Sequence, residues 1–424
     1  MKPSAQNDKS RRHCWMAIVM GLLLAACGGG GEGSSTSTSG PVVTPTIPAP
    51  APAPPPSPAS SGTLRLALTD APSCGYDKVN VTIQKIRVHA SGSASDSDAG
   101  WSEIAPASAV RVDLLTLMNG TLSELGQTAL PTGKYTQMRL LLAANGASAP
   151  WANSVVVTGG TETALTIPSA VQSGLKMNVD IDVAANQVAD FVLDFDACRS
   201  VRKLGNAGGF LLQPVITVLP RLSDTGSRVI GYVSADVAST TLVSAQVNGV
   251  PIKSTQPDVS GKFTLTPLPT GTYDVVIQAA DRATATVTGV PVSATSITSI
   301  NASTSPISPP ATFMRTVSGT VMITPAPTLV DALVVARKAY SDGPTVEVSG
   351  RSVDGTSGAL TLSLPGGSPR KASYVAGTST IVFTEDSAAP TGKYTLVLTA
   401  GAVIKTLDVD LTMADATGLS FVFP

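Results

Sequence analysis

Asp180, Asp182, Asp190, Asp194 and Asp196 crowd one short stretch. They alternate with Leu175, Met177, Val179, Ile181, Phe191, Leu193 and Phe195. A period of two predicts two strands, 175–183 and 187–196. If Ala184-Ala185-Asn186 is a three-residue loop with Asn186 left-handed, a hairpin follows in which Asp180 faces Asp190 and Lys176 faces Asp194. One face is then apolar, and the other gathers five carboxylates and a lysine. Such a face could hold a hard cation, with calcium the candidate, since Ca²⁺ takes roughly six to eight oxygens. A cation would also offset the repulsion of Asp180 and Asp190 across the strands. The competing reading is a solvated acidic face with a Lys176–Asp194 pair, and the lack of a calcium-loop motif favours it. Acid–base work by two of these aspartates is a third reading, but no pair is singled out.

Other reactive types are sparse. Beyond the amino-terminal segment the one histidine is His89, at the end of an expected strand 79–88, where a solvent-facing role is expected over a catalytic one. Ser173-Gly174-Leu175-Lys176 has Ser-x-x-Lys spacing, but it leads into a strand, where positions three apart face opposite sides. Trp101 and Trp151, beside Gly100 and Pro150, are candidate stacking platforms for sugars, or else core or rim aromatics. No catalytic residue is assigned, and an enzyme is not the favoured reading. No cofactor is expected apart from the calcium candidate.

The amino terminus gives an address. Lys2, Lys9, Arg11 and Arg12 precede an apolar run from Trp15 to Ala25, which ends in Leu24-Ala25-Ala26-Cys27. This is the order of a lipoprotein signal peptide, residues 1–26, with Cys27 as the lipid attachment point. The run is about half the ~20 residues that a spanning helix needs. Gly28 follows the cysteine where enterobacterial inner-membrane lipoproteins carry aspartate, so the outer membrane is favoured, on its periplasmic side or at the cell surface. In that oxidising setting Cys14 leaves with the signal and Cys27 is consumed by lipid. Cys74 and Cys198 then form the default disulfide, worth about 4–5 kcal/mol in the chain-entropy model. Two separate buried thiols are the alternative.

Residues 27–62 follow as a lipidated cysteine and a Gly/Ser/Thr then Pro/Ala tract, too poor in apolar mass to fold and stiffened by proline. The rest of the chain must supply the elements that position any site. Charged residues make up 13% of the chain and aromatics 4%, while β-branched types abound, which points to an all-β extracellular protein. The net charge of −1 and the absence of a basic cluster beyond the signal exclude nucleic acid as a partner.

One phrase occurs three times: Pro131-Thr132-Gly133-Lys134-Tyr135, Pro269-Thr270-Gly271-Thr272-Tyr273 and Pro390-Thr391-Gly392-Lys393-Tyr394, each a turn leading into an apolar strand. Gly231 and Gly319 sit in similar first strands, and Asp258–Gly261 and Asp354-Gly355 are turns before strands. Three consecutive β-sandwich-like domains are expected, 63–220, 227–305 and a divergent 314–424. The one expected helical turn lies near Leu114–Met118.

Residues 62–220 resemble the domain-of-unknown-function 4382 (DUF 4382) family of bacterial lipoproteins. The resemblance rests on Leu68-Thr69-Asp70-Ala71-Pro72, Gly75-Tyr76-Asp77, Val112-Asp113-Leu114-Leu115, Leu130 to Tyr135, Ser173 to Lys176 and Leu193-Asp194-Phe195-Asp196. It implies a lipoprotein context and a β-rich fold, and no activity. Residues 227–305 resemble carboxypeptidase-regulatory or transthyretin-like sandwiches, and 314–424 a more distant relative; that likeness concerns fold alone. The expected function is an envelope lipoprotein with a binding or display role, membrane-held through its lipid, with a glycan or an envelope protein as partner. The rivals are a surface glycan hydrolase using first-domain carboxylates and a structural spacer or assembly factor.

Overall fold

In the strand Lys393–Ala400 every second side chain is buried, and Ala359–Pro365 repeats the pattern. This alternation packs one face of a sheet on a core and leaves the other open. The fold is all-β: among the described residues, sheets pack as sandwiches with a few one-turn helices, in keeping with the β-branched composition. The computed structural model describes residues 60–70, 75–106, 108–167, 173–205, 208–221, 226–388 and 391–424. They belong to one compact unit, Pro58–Pro424.

The first domain sets a four-stranded sheet against a nine-stranded one. The smaller runs Ile216–Pro220, Val188–Phe195, Ser61–Asp70, Ser123–Pro131, with Ser61–Asp70 parallel to Val188–Phe195. The larger is built around Tyr76–His89 and ends in Gly133–Leu142 and Leu175–Val183. Leu64, Leu66, Leu68, Ile181, Leu193 and Phe195 meet in the core between them. A 3-10 turn, Leu114–Leu117, is capped by Asp113.

Leu175–Val183 and Val188–Phe195 are both strands, and Asn186 is left-handed at φ 56°. They do not form the expected hairpin. The first pairs with Gly133–Leu142 and the second with Ser61–Asp70, so the chain arches from one sheet to the other. The arch takes its hydrogen bonds from the first strand: Asn186 N donates to Ser61 O at 2.9 Å and Thr63 N to Gln187 O at 2.8 Å. Gly62 makes this approach possible, since a Cβ there would lie 2.2 Å from Ala184 O. Facing across a sandwich satisfies the same apolar alternation as pairing side by side, which is why the pattern did not separate the two.

The other two domains share one topology. In the second, Lys262–Leu265, Val229–Tyr232 and Thr298–Ser299 oppose Val250–Thr255, Thr241–Val247, Gly271–Ala279 and Ala285–Val292. In the third, Ala359–Pro365, Met314–Ile323 and Ala416–Phe423 oppose Thr345–Ser352, Leu333–Ala339, Lys393–Ala400 and Val403–Asp410. The Asp-to-Gly turns match. Asp258 Oδ1 accepts Ser260 N at 2.8 Å, and Gly261, at φ +82°, packs so tightly that a Cβ would lie 1.9 Å from Val233 O. Asp354 Oδ1 accepts Ser357 N at 2.8 Å, and a Cβ on Gly358 would lie 2.0 Å from Val321 O. The threefold phrase is explained by its tyrosine. Tyr135 Oη donates to Pro131 O at 3.1 Å and Tyr273 Oη to Pro269 O at 2.7 Å, tying the strand start to the preceding corner. In the third copy Pro390 lies outside the described residues, and Tyr394 Oη donates to Pro365 O at 2.5 Å. One departure joins two domains: Arg370–Ser373, from the third segment, adds in parallel to Ala285–Val292 of the second.

Candidate interaction site at the three-domain junction

Several buried polar side chains meet where the three domains join, among them Asp70, Asp194, Arg202, Gln246, Lys253 and Glu347. Val188–Phe195 presents Asp194 away from the first core, and Val250–Thr255 presents Lys253 toward it. Lys253 is 2% exposed and Asp194 8%, and their Nζ and Oδ1 are in contact. Lys253 Nζ also donates to Asp70 O at 3.4 Å. Asp70 is fully buried; its Oδ1 accepts Ala197 N at 3.2 Å and its Oδ2 has no hydrogen-bond partner. Burial foremost, then the charges of Asp196 and Asp194, hold its carboxyl well above the usual carboxylate range, while Lys253 and the Ala197 N–H act the other way.

One turn further, Asp196 caps the helix Ala197–Ser200 by accepting Arg199 N at 3.0 Å. Desolvation raises the Asp196 pKa, against the pull of Arg199. Arg199 Nη2 donates to Glu347 Oε1 of the third domain, and Arg199 Nε lies 3.4 Å from Asp196 Oδ2. Glu347 is likewise raised, by burial first and with Arg199 opposing. Two glutamines of the second domain grip the Glu347 backbone. Gln246 Oε1 accepts Glu347 N at 2.8 Å, while Gln246 Nε2 and Gln278 Nε2 each donate to Glu347 O at 2.9 Å. These side chains border a small polar cleft with Ser244 and Asp196.

Two further contacts lock the junction. Arg202, 4% exposed, donates to Val330 O at 2.6 Å and to Asp331 Oδ1 at 3.0 Å. Asn119 inserts its carboxamide against Lys262–Leu265: its Oδ1 accepts Thr264 N at 2.5 Å and its Nδ2 donates to Lys262 O at 3.3 Å.

The five aspartates do not gather. Asp180 and Asp182 lie on the exposed outer face of the larger sheet, where Lys134 Nζ pairs with Asp180 at 2.7 Å. Asp190 pairs with Arg65 on the smaller sheet, Asp194 with Lys253, and Asp196 caps a helix. The expected Lys176–Asp194 pair is therefore replaced, because the two strands lie in opposite sheets. Among the described residues no group of three His, Cys, Asp or Glu side chains is placed to hold a metal ion. Trp101 is half-buried; its Nε1 donates to Ser95 O at 2.9 Å, and Arg87 and Arg139 lie 4.6 and 5.0 Å from its ring centroid. His89 packs on the same ring at 5.0 Å and accepts Ser91 N at its Nδ1. Trp151, also half-buried, offers its carbonyl to Arg111 Nε at 3.2 Å. Ser173 precedes the strand and Lys176 is exposed within it. Cys198 is disulfide-bonded, while Cys27 and the expected partner Cys74 lie outside the described residues.

Lys253, Gln246 and Glu347 were not singled out from the sequence. Each is an isolated polar residue in an otherwise ordinary strand, and its partner comes from another domain. The one available signal was a lone lysine in the strand-like run 250–255.

Residues 61–214 match the family model described as Domain of unknown function (DUF4382). No curated protein matches the chain. Among solved structures it is similar to the Bacillus anthracis TIE protein (11% identity over 86% of this chain and 50% of that one, TM-score 0.16). It is also similar to a streptococcal ancillary pilin (10%, 86% and 99%, 0.16) and to BcpA, the major pilin subunit of Bacillus cereus (9%, 85% and 99%, 0.16). The chain spans half the length of the first of these. Scores this low describe no shared arrangement of domains. Among the described residues no helix is long and apolar enough to cross a membrane.

Proposed function

We propose that this chain is an envelope lipoprotein, held by lipid at Cys27 and favouring the outer membrane, whose three sandwiches act as one rigid head for binding or display. The observation that supports this reading is the junction. Each pair of domains is joined by buried polar contacts: Asp194–Lys253, Arg199–Glu347, and Gln246 on the Glu347 backbone. Linked sandwiches that only spaced two ends apart would not need a three-way lock. A head whose three domains keep a fixed mutual arrangement, carried on a Gly/Ser- and Pro-rich tether, combines reach with a preorganised surface, which suits capture of a glycan or an envelope protein. The rival hydrolase reading is less favoured, because Asp180, Asp190 and Asp194 lie in opposite sheets and are paired with Lys134, Arg65 and Lys253. Cys198 is taken to pair with Cys74, since Asp70, just upstream of Cys74, already bonds Ala197. The test is Cys27→Ala in the native host. The variant should move to the soluble fraction, lose a palmitate-analogue label, and give a Cys74–Cys198 peptide when mapped unreduced. Membrane retention without the lipid, or free thiols at both cysteines, would overturn the corresponding part.

A further inference from the structure

The Asp194–Lys253 contact is unusual in how completely it is sealed. Lys253 is among the largest fully buried side chains of the protein, and its carboxylate partner comes from another domain. Strands on both sides hold the amine against the carboxyl group, so a reaction between them requires no diffusional encounter. Asp70 supplies a second carboxyl, fully buried, with one oxygen unpartnered, and its backbone carbonyl receives the same ammonium. Burying an ion pair this deeply carries a desolvation cost that is hard to recover. A neutral product of the same two groups would not bear it.

We propose that Lys253 and Asp194 condense into a side-chain amide that covalently joins the first and second domains. One proton passes from the ammonium to the carboxylate, leaving amine and acid. Lys253 Nζ attacks Asp194 Cγ, a C–N bond forms, and one C–O bond breaks. The departing oxygen leaves as water with a proton from Asp70, which recovers one from the nitrogen. The balance is one amine and one acid giving one amide and one water, with no oxidant, reductant or activating group. Burial favours the protonated form of Asp70 and, by keeping water out, protects the amide from hydrolysis.

A peptide map of the purified full chain tests this. The segments carrying Asp194 and Lys253 should appear as one branched peptide, lighter than their sum by one water, with no tryptic cut after Lys253. A protease site inserted between Arg221 and Gly226 adds a second readout: after cleavage, reduction and denaturation the two halves should stay together. Lys253→Met should let them separate, and Asp70→Asn should lower the linked fraction. Two linear peptides of full mass and separating halves in the wild-type chain would overturn the proposal, and that result does not depend on any variant folding.

Discussion

Replacing Gln246 with methionine tests whether the junction is held by hydrogen bonds or only by packed area. Gln246 is 1% exposed and methionine roughly preserves its volume, so the apolar contacts stay. Three hydrogen bonds go: Glu347 N to Oε1, and Nε2 to Glu347 O and to Ser244 Oγ. Their losses differ. Glu347 O keeps Gln278, so it is not orphaned. Glu347 N–H loses its acceptor inside the junction, which costs about 1–3 kcal/mol, and the buried Ser244 hydroxyl adds about 1 kcal/mol. The sum, about 2–4 kcal/mol, falls on the contact between the second and third domains rather than on either core. Native-state hydrogen exchange at the Glu347 amide reads it directly, and at tenfold per 1.4 kcal/mol exchange should speed up by about 30- to 700-fold. Gln278→Met, which orphans nothing, should change it by less than about tenfold. If protection at Glu347 in Gln246→Met stayed within threefold of wild type, the clamp would not be what joins these domains.

Two other outcomes follow from the same geometry. Gly261→Ala should destabilise the second domain far more than Gly289→Ala in chemical denaturation. Both glycines have positive φ, but a Cβ at 261 meets Val233 O at 1.9 Å while one at 289 meets nothing within 4 Å; equal losses would refute the close-approach argument. Asp70→Asn should gain stability relative to wild type as pH rises from about 4 toward neutrality. The raised Asp70 pKa means that its contribution is full below the unfolded-state pKa and is lost as pH climbs through the folded one, whereas asparagine does not titrate, so a pH-independent difference would contradict the burial of this carboxyl.

What was legible in the sequence was local. Apolar alternation predicted strands at 175–183 and 187–196, found at Leu175–Val183 and Val188–Phe195, and the threefold phrase marked strand starts, two of whose tyrosines bond back to the preceding corner. The left-handed Asn186 was also legible, because a short polar side chain tolerates that region. The pairing was not, since an arch between sheets and a hairpin within one demand the same alternation. What decides between them is Gly62 and the backbone of Ser61 and Thr63, more than a hundred residues upstream. The aspartates therefore looked like one cluster when they belong to two faces, one of them covered by the second domain. The junction was illegible for a related reason: no period marks a lysine or glutamine whose partner arrives from another fold.

The junction follows from how sheets end. A sandwich has edges, and an open edge strand offers unpaired N–H and C=O groups to any passing chain. Here several edges are closed by a neighbouring domain. Lys262–Leu265 is an edge of the second domain, and the Asn119 carboxamide pairs with it as a strand would. Thr345–Ser352 is an edge of the third, and Gln246 does the same at Glu347. Ala285–Val292 would end the second domain's sheet, and Arg370–Ser373 continues it. A carboxamide suits this task because it carries one donor and one acceptor in a plane, the same complement as a peptide unit. Closing edges with side chains of the next domain removes a liability and fixes orientation in a single step. The domains are thus held together by the groups that each would otherwise leave open.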